Sequence, residues 1–225
     1  DHCQINYMSD SPNRRLLQLP TRSCLALAGL IAVWSVGAEV SPTVQAKAVA
    51  FALRDVKLLA SPFKDAMELN AKYLLSLDPD RLLSGVLRNA GLTPKAPRYG
   101  GWESEGVAGQ SLGHYMTALA LQYRATGDKR FLDRENYIVA ELAACQTRDT
   151  NGFVAAIPNG RVLFTALKER RGRMEGWVPW YTMHKLFAGL RDAYVLCGNE
   201  QARAVLVKLA DWADSVTRNL TPEEM

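Results

Sequence analysis

Two glycines constrain this chain more than any other feature. Gly127 and Gly198 stand 71 residues apart, and each is followed at once by a helix-capping residue, Asp128 and Asn199. A stretch of helical apolar period precedes each glycine, and another of about 20 residues follows it. Glycine ends a helix because it enters the left-handed region without a side-chain penalty. The Asp or Asn side chain then accepts the free amide hydrogens that open the next helix. Helices joined by so short a turn must be antiparallel neighbours. His114 lies 13 residues before the first glycine and His184 lies 14 before the second. Repeated hairpins separated by a large insert predict an all-α fold, helical hairpins forming part of an (α/α)6 barrel or toroid. Its inner helices place their ends around one central mouth, which both histidines would face. Two copies alone leave a second origin open, since Gly-Asp and Gly-Asn join helices in many folds.

The rest of the chain supplies the elements. Ser61 is a good N-cap and Pro62 suits a first helical position. Phe63, Met67, Asn70, Leu74 and Leu77 follow at spacings of four and three, and Asp78-Pro79 stops that helix. Residues 91–103 read as a Gly/Pro loop, followed by a helix from about Ser104 to Thr126. A third helix starts after Asp128 with Phe131, Glu135, Ile138, Leu142 and Cys145 on one face. Residues 147–179 lack helical period and form an irregular insert. There Asn151-Gly152 beside the apolar run Phe153–Ile157 predicts a small β-hairpin. Tyr181 to Cys197 is helical, and Asn199 caps a last helix bearing Val205, Leu209, Trp212 and Val216. That makes five long helices where a closed ring needs twelve. Thr221-Pro222-Glu223-Glu224-Met225 reads as the start of another helix. Residues 61–225 are therefore expected to be the N-terminal portion of a longer barrel, with a linker over 39–60.

Residues 1–38 read as a leader. Arg14, Arg15 and Arg22 form a positive region, Cys24–Val36 is an apolar run of signal-peptide length, and Val36-Gly37-Ala38 offers a cleavage site. The run is short for a membrane span. An N-terminal anchor stays open, as does Sec against twin-arginine export, with Met8 as a possible start. The expected location is periplasmic or extracellular. A formal charge of +4 among 225 residues is too mild for a nucleic-acid surface. Four cysteines and three histidines show no metal-site spacing, and Cys145 and Cys197 stand alone in helical patterns, as buried thiols do.

The loops before the histidine helices carry the chemistry. One contains Trp102, Glu103 and Glu105, and the other contains Trp177, Trp180 and Tyr181. Indole and phenol faces beside histidine and carboxylate describe a sugar-binding mouth, with the ring's apolar face on the aromatic and its hydroxyls on the polar groups. Taken singly, each Trp reads as core and each His as a structural residue; two such loops in register at one end of a repeat shift the balance toward binding. Glu103 and Glu105 also fit a helix N-terminus, and residues two apart point to different sides, which weakens them as a paired-carboxylate glycosidase site. The basic run Lys168–Arg173 reads as a solvated insert.

Several ordered strings resemble the N-terminal part of the β-L-arabinofuranosidases of glycoside hydrolase family 127. They are Leu74–Leu83, Gly100–Ser104, Ser111–Tyr115 and Gly176–Lys185, and the resemblance spans about 52–225. It implies an (α/α)6 barrel with further β-sandwich domains, release of L-arabinofuranose with retention, and an oligo- or polysaccharide substrate of plant origin. It also implies zinc for the full-length parent, bound to a nucleophilic cysteine thiolate among further cysteines and a glutamate, with a separate acid/base glutamate. No Glu-x-Cys and no Cys-Cys pair occurs here, so neither Cys145 nor Cys197 matches that motif. The resemblance places no catalytic or metal-binding residue in this chain. By motif, His114 and His184 carry over as sugar-pocket residues, with Trp102, Glu103 and Tyr181 beside them. Two other readings of the same pattern are a different (α/α)6 carbohydrate enzyme, of unsaturated glucuronyl hydrolase or polysaccharide lyase type, and a non-catalytic helical-repeat binding protein.

Overall fold

A computed structural model describes residues 48–225 apart from 105, 172–176 and 225. The expected leader over 1–38, the linker up to residue 47, and Glu105 lie outside the described residues. Among the described residues the chain is all-α, with seven α-helices and two short 3-10 turns.

The first two helices share an Asp-Pro joint. α1 (Pro62–Ser76) opens on Ser61, whose hydroxyl accepts from Lys64 N–H, and its chain turns extended at Leu77. Asp78 and Pro79 stop α1 as expected, and they also start α2 (Pro79–Asn89), with Asp78 as N-cap and Pro79 at the first position. Sequence reading missed α2, because the same dipeptide serves as stop and start. The face read on α1 is also corrected. Leu74 is its one buried residue, while Phe63 is 76% exposed.

The two hairpins form as the spacing predicts. α3 (Gln110–Thr126) ends on left-handed Gly127 (φ 73°), and Asp128 caps α4 (Lys129–Gln146). α6 (Pro179–Cys197) ends on left-handed Gly198 (φ 70°), and Asn199 caps α7 (Glu200–Thr217). The start of α3 is corrected from Ser104 to Gln110, because Gly101–Ser104 is a separate 3-10 turn and left-handed Gly109 intervenes.

α3 and α6 pack against each other with almost no side chain between them. A Cβ on Gly113 would lie 2.2 Å from the carbonyl carbon and oxygen of Lys185, and one on Gly189 would lie 2.8 Å from Gly113 O and Met116 Cβ. Further along, Thr117 Oγ1 donates to Asp192 Oδ2 at 2.9 Å. Residue numbers rise together along the seam, so the two helices run parallel. Their N-terminal ends, with His114 and His184, open at the same end of the fold. α4 and α7 cover them with Phe131, Ile138, Leu142, Leu209 and Trp212, all buried.

The insert is ordered differently from expectation. Phe153–Ile157 is buried throughout and forms no strand. It threads between elements, with Ala156 Cβ against the bare Cα positions of Gly85 and Gly109. A buried backbone without a ladder needs other partners. Asn89 Nδ2 donates to Ala155 O and Ile157 O, both at 2.8 Å, and Gln146 Nε2 donates to Gly152 O and Val205 O. The apolar run resembles a hairpin in sequence because the side-chain partners of its carbonyls lie far off along the chain. α5 (Gly160–Lys168) follows it, a helix inside a segment expected to be irregular.

Glu135 of α4 is fully buried, and neither carboxylate oxygen has a hydrogen-bond partner. Burial, and secondarily the charge of Asp192 on α6, pushes its carboxyl well above the usual range. A raised folded-state value gives stability that is full below the unfolded pKa, about 4.3, and lost as pH rises through the folded value. Thermal melts of Glu135→Gln should therefore exceed wild type most at pH 8, with the gap narrowing toward pH 4. A gap independent of pH would mean the carboxyl does not change ionisation on folding.

The seam itself makes a sharper prediction. Gly113→Ala forces a methyl into the Lys185 backbone and should cost about 3 kcal/mol, as severe overpacking does. Gly100→Ala, where a Cβ meets nothing within 4 Å, should leave the denaturation midpoint near wild type.

Candidate functional site

The site begins with how α3 is started. Glu103, in the 3-10 turn, is buried, and its two oxygens accept backbone N–H groups of Gly109 (2.8 Å) and Ser111 (2.9 Å). A carboxylate taking two amide hydrogens at a helix N-terminus satisfies orphan donors and complements the helix dipole. Both carboxylate oxygens are thus engaged in holding the first turn of α3. The α1 end of the wall is fixed in the opposite sense. Arg134 Nη1 lies within 3.2 Å of the carbonyls of Leu74, Leu75 and Leu77 and 2.9 Å from Tyr115 Oη. Tyr115 Oη in turn donates to Leu74 O at 2.8 Å. A guanidinium at a helix C-terminus gathers carbonyls that have no partner within the helix.

These supports frame a concavity of about 390 Å³ whose walls include Trp102, Gln110, Ser111, His114, Tyr115 and Tyr181. Three of the residues singled out in sequence, Trp102, His114 and Tyr181, therefore share one surface. Trp102 is 64% exposed and Tyr181 43% exposed, so both rings present a face to solvent. His184 is exposed one turn beyond Tyr181 on the same helix, across the seam from His114. Lys185 Nζ sits 4.5 Å from the Tyr181 ring centre. Burial lowers the His114 pKa first, and the nearby Lys185 and His184 lower it further. Its imidazole is neutral at pH 7, able to donate from one nitrogen and accept at the other.

The remaining aromatics divide. Trp177 meets Trp102 edge to face, with centroids 6.2 Å apart and planes at 84°. Trp180 turns away into the core, against Phe164 (4.9 Å) and Trp212 (6.1 Å). Gln110, Ser111 and Tyr115 were not singled out in sequence. Their signal was position, since they share the first turns of the helix that carries His114.

Among the described residues, Cys145 and Cys197 are free thiols. Cys145 is buried and its thiol is pushed up to about 11, and Cys197 is half-buried and pushed up to about 12, in both cases chiefly by desolvation. Thiols so raised are not thiolates at neutral pH. Among the described residues no three His, Cys, Asp or Glu side chains gather as a metal site. The zinc–thiolate group implied by resemblance thus finds no fitting donor set among them. No helix of the described residues is long and apolar enough to cross a membrane.

The family model described as beta-L-arabinofuranosidase, GH127 catalytic domain, matches residues 55–225. The chain belongs to the GH127 β-L-arabinofuranosidase family. That match covers all seven α-helices and every residue of the concavity. The match gives the chain the character of a glycoside hydrolase, arabinofuranosidase-like, with carbohydrate as the implied substrate. Among curated proteins no relative matches.

The seam predicts how His114 titrates. Its NMR-detected midpoint should lie below the usual 6.5, and Lys185→Met should raise it by removing a positive neighbour. A midpoint unmoved by that substitution would take Lys185 out of the site's electrostatics.

Proposed function

We propose that the concavity at the α3–α6 seam is the sugar-recognition face of an exported β-L-arabinofuranosidase-type glycoside hydrolase acting on plant-derived, arabinose-containing glycans. The observation that carries this reading is the juxtaposition of His114, Trp102 and Tyr181 around one small concavity inside a GH127-matching domain. In this reading Trp102 and Tyr181 flank the sugar ring, and the imidazoles of His114 and His184 exchange hydrogen bonds with its hydroxyls. Glu103 acts as a positioning residue, through the first turn of α3. Export rests on the arginine-flanked apolar run within residues 13–38.

The role we assign to these 225 residues is recognition rather than bond cleavage. The thiolate motif that the resemblance attaches to this chemistry does not occur in the sequence, so we read the chain as the N-terminal part of a longer (α/α)6 enzyme that supplies zinc ligands, nucleophile and acid/base from elsewhere. The purified 225-residue chain should bind L-arabinose by isothermal titration calorimetry and release none from an aryl β-L-arabinofuranoside, with or without zinc. His114→Ala should weaken binding by roughly tenfold or more, the cost of about one good hydrogen bond to the ligand. Turnover by this chain would overturn the division of labour and direct attention to Glu103 and Glu105. Binding unaffected by His114→Ala would overturn the assignment of the concavity.

A further inference from the structure

A hollow of about 190 Å³ lies between α5 and α7 and shares no wall residue with the His114 concavity. Phe153, Phe164 and Trp212 form its aromatic wall, and Arg161, Thr165 and Lys168 its polar one. We propose that it binds a small aromatic carboxylate, a single ring that carries one negative group. The proposal is independent of the sugar reading of the His114 concavity.

The aromatic wall selects the ring. Phe153, Phe164 and Trp212 are all buried. The Trp212 centroid stands 4.7 Å from that of Phe153 and 4.9 Å from that of Phe164, and the planes of Phe164 and Trp212 meet at 89°. Rings set at such steep angles do not fill the space between them as a flat stack would. They offer edges and faces to a further ring, in the arrangements that aromatic pairs favour. An apolar cavity of about 150 Å³ takes up benzene, so this volume suits one six-membered ring with a short substituent.

The polar wall selects the charge. Arg161, Phe164, Thr165 and Lys168 stand at i, i+3, i+4 and i+7 on α5 and so share one face. Arg161 is anchored, with Nη1 paired to the buried carboxylate of Asp149 and Nε donating to Asn89 O at 3.3 Å. Lys168 lies about 10 Å further along the helix axis, so the two cations bracket the hollow. The acids beside it in sequence are paired elsewhere. Glu169 pairs with Arg171, and Asp214 of α7 pairs with Arg218. Lys168 is therefore the partner for a ligand's carboxylate. The Thr165 hydroxyl, one turn before it, can donate to the same group.

The two walls act together. An ion pair on an open surface contributes little, because water screens it. A carboxylate seated beside a buried aromatic wall is partly withdrawn from water, and its hydrogen bonds to a cation strengthen. A neutral ring would use only the aromatic wall, and a bare anion only the polar one. A hollow of this make-up therefore distinguishes benzoate from both benzyl alcohol and acetate.

The test titrates the 225-residue chain with benzoate, benzyl alcohol and acetate by isothermal titration calorimetry and follows the assigned indole N–H signals of its tryptophans by NMR. Benzoate should saturate one site, bind roughly tenfold more tightly than either of the other two, and shift the Trp212 signal. Lys168→Gln should weaken benzoate by roughly tenfold, the scale of one charge-assisted hydrogen bond, and leave benzyl alcohol unchanged. Lys168→Arg should keep most of the affinity. Lys168 is exposed, so both variants should fold, and an unchanged melting temperature checks that they do. Four results would overturn the proposal. Without saturable benzoate binding, the hollow is a packing gap. Acetate bound as tightly as benzoate makes it a place for bare anions only. Benzoate affinity indifferent to Lys168→Gln removes the charge from recognition. A shift at Trp102 without one at Trp212 puts the ligand in the His114 concavity instead.

Discussion

The backbone contact between Gly113 and the Lys185–Gly189 stretch is what the rest of this fold depends on. Two helices meet there without side chains to separate them, and any residue larger than glycine would drive them apart. Close approach fixes both distance and direction, because the residues in register rise together along α3 and α6. It also brings His114 and His184 to one end, since each lies beside a residue of the seam. Recognition chemistry is thereby tied to packing. A change that loosens the seam separates the histidines even where it leaves both side chains intact.

A second constraint follows from the insert. The segment from Phe153 to Ile157 is buried throughout, Asn89 donates to two of its carbonyls, at Ala155 and Ile157, and Gln146 holds Gly152 O just before it. Ala156 fits because Gly85 and Gly109 present no side chain to it. Gly109 also precedes α3, so the insert braces the turn that Glu103 caps. The aromatic group of Phe153, Phe164, Trp180 and Trp212 closes the same region with centroid separations between 4.7 and 6.1 Å.

How much of this was legible depended on how local each signal is. Ser61, Asp128 and Asn199 act on amides two or three residues away, and all three cap the helices that the sequence assigns to them. The hairpin spacing puts His114 and His184 in the N-terminal turns of α3 and α6 because the Gly turns are local and the helices between are regular. Asp78-Pro79 was ambiguous, since the residues that stop α1 are also those that begin α2. Other features depend on distant partners. Phe63 follows a buried pattern yet is exposed, because burial needs a neighbour and not only a period. Trp177 and Trp180 sit three residues apart, one before α6 and one in its first turn, and Trp180 joins the core while Trp177 stays at the surface. Glu103 carries a residue type suited to sugar contact, while its carboxylate is committed to two amides that only the turn at Gly109 brings within reach.

The sharpest single measurement follows the two imidazoles together. With histidines labelled for NMR, added L-arabinose should shift the signals of His114 and His184 along one common binding curve and leave that of His2, which lies outside the described residues, unmoved. Substituting Trp102 with Ala should weaken both responses equally, as a single sugar reaching both histidines requires. Shifts at only one of the two histidines, or separate curves with different midpoints, would contradict a common sugar-binding surface at the α3–α6 seam.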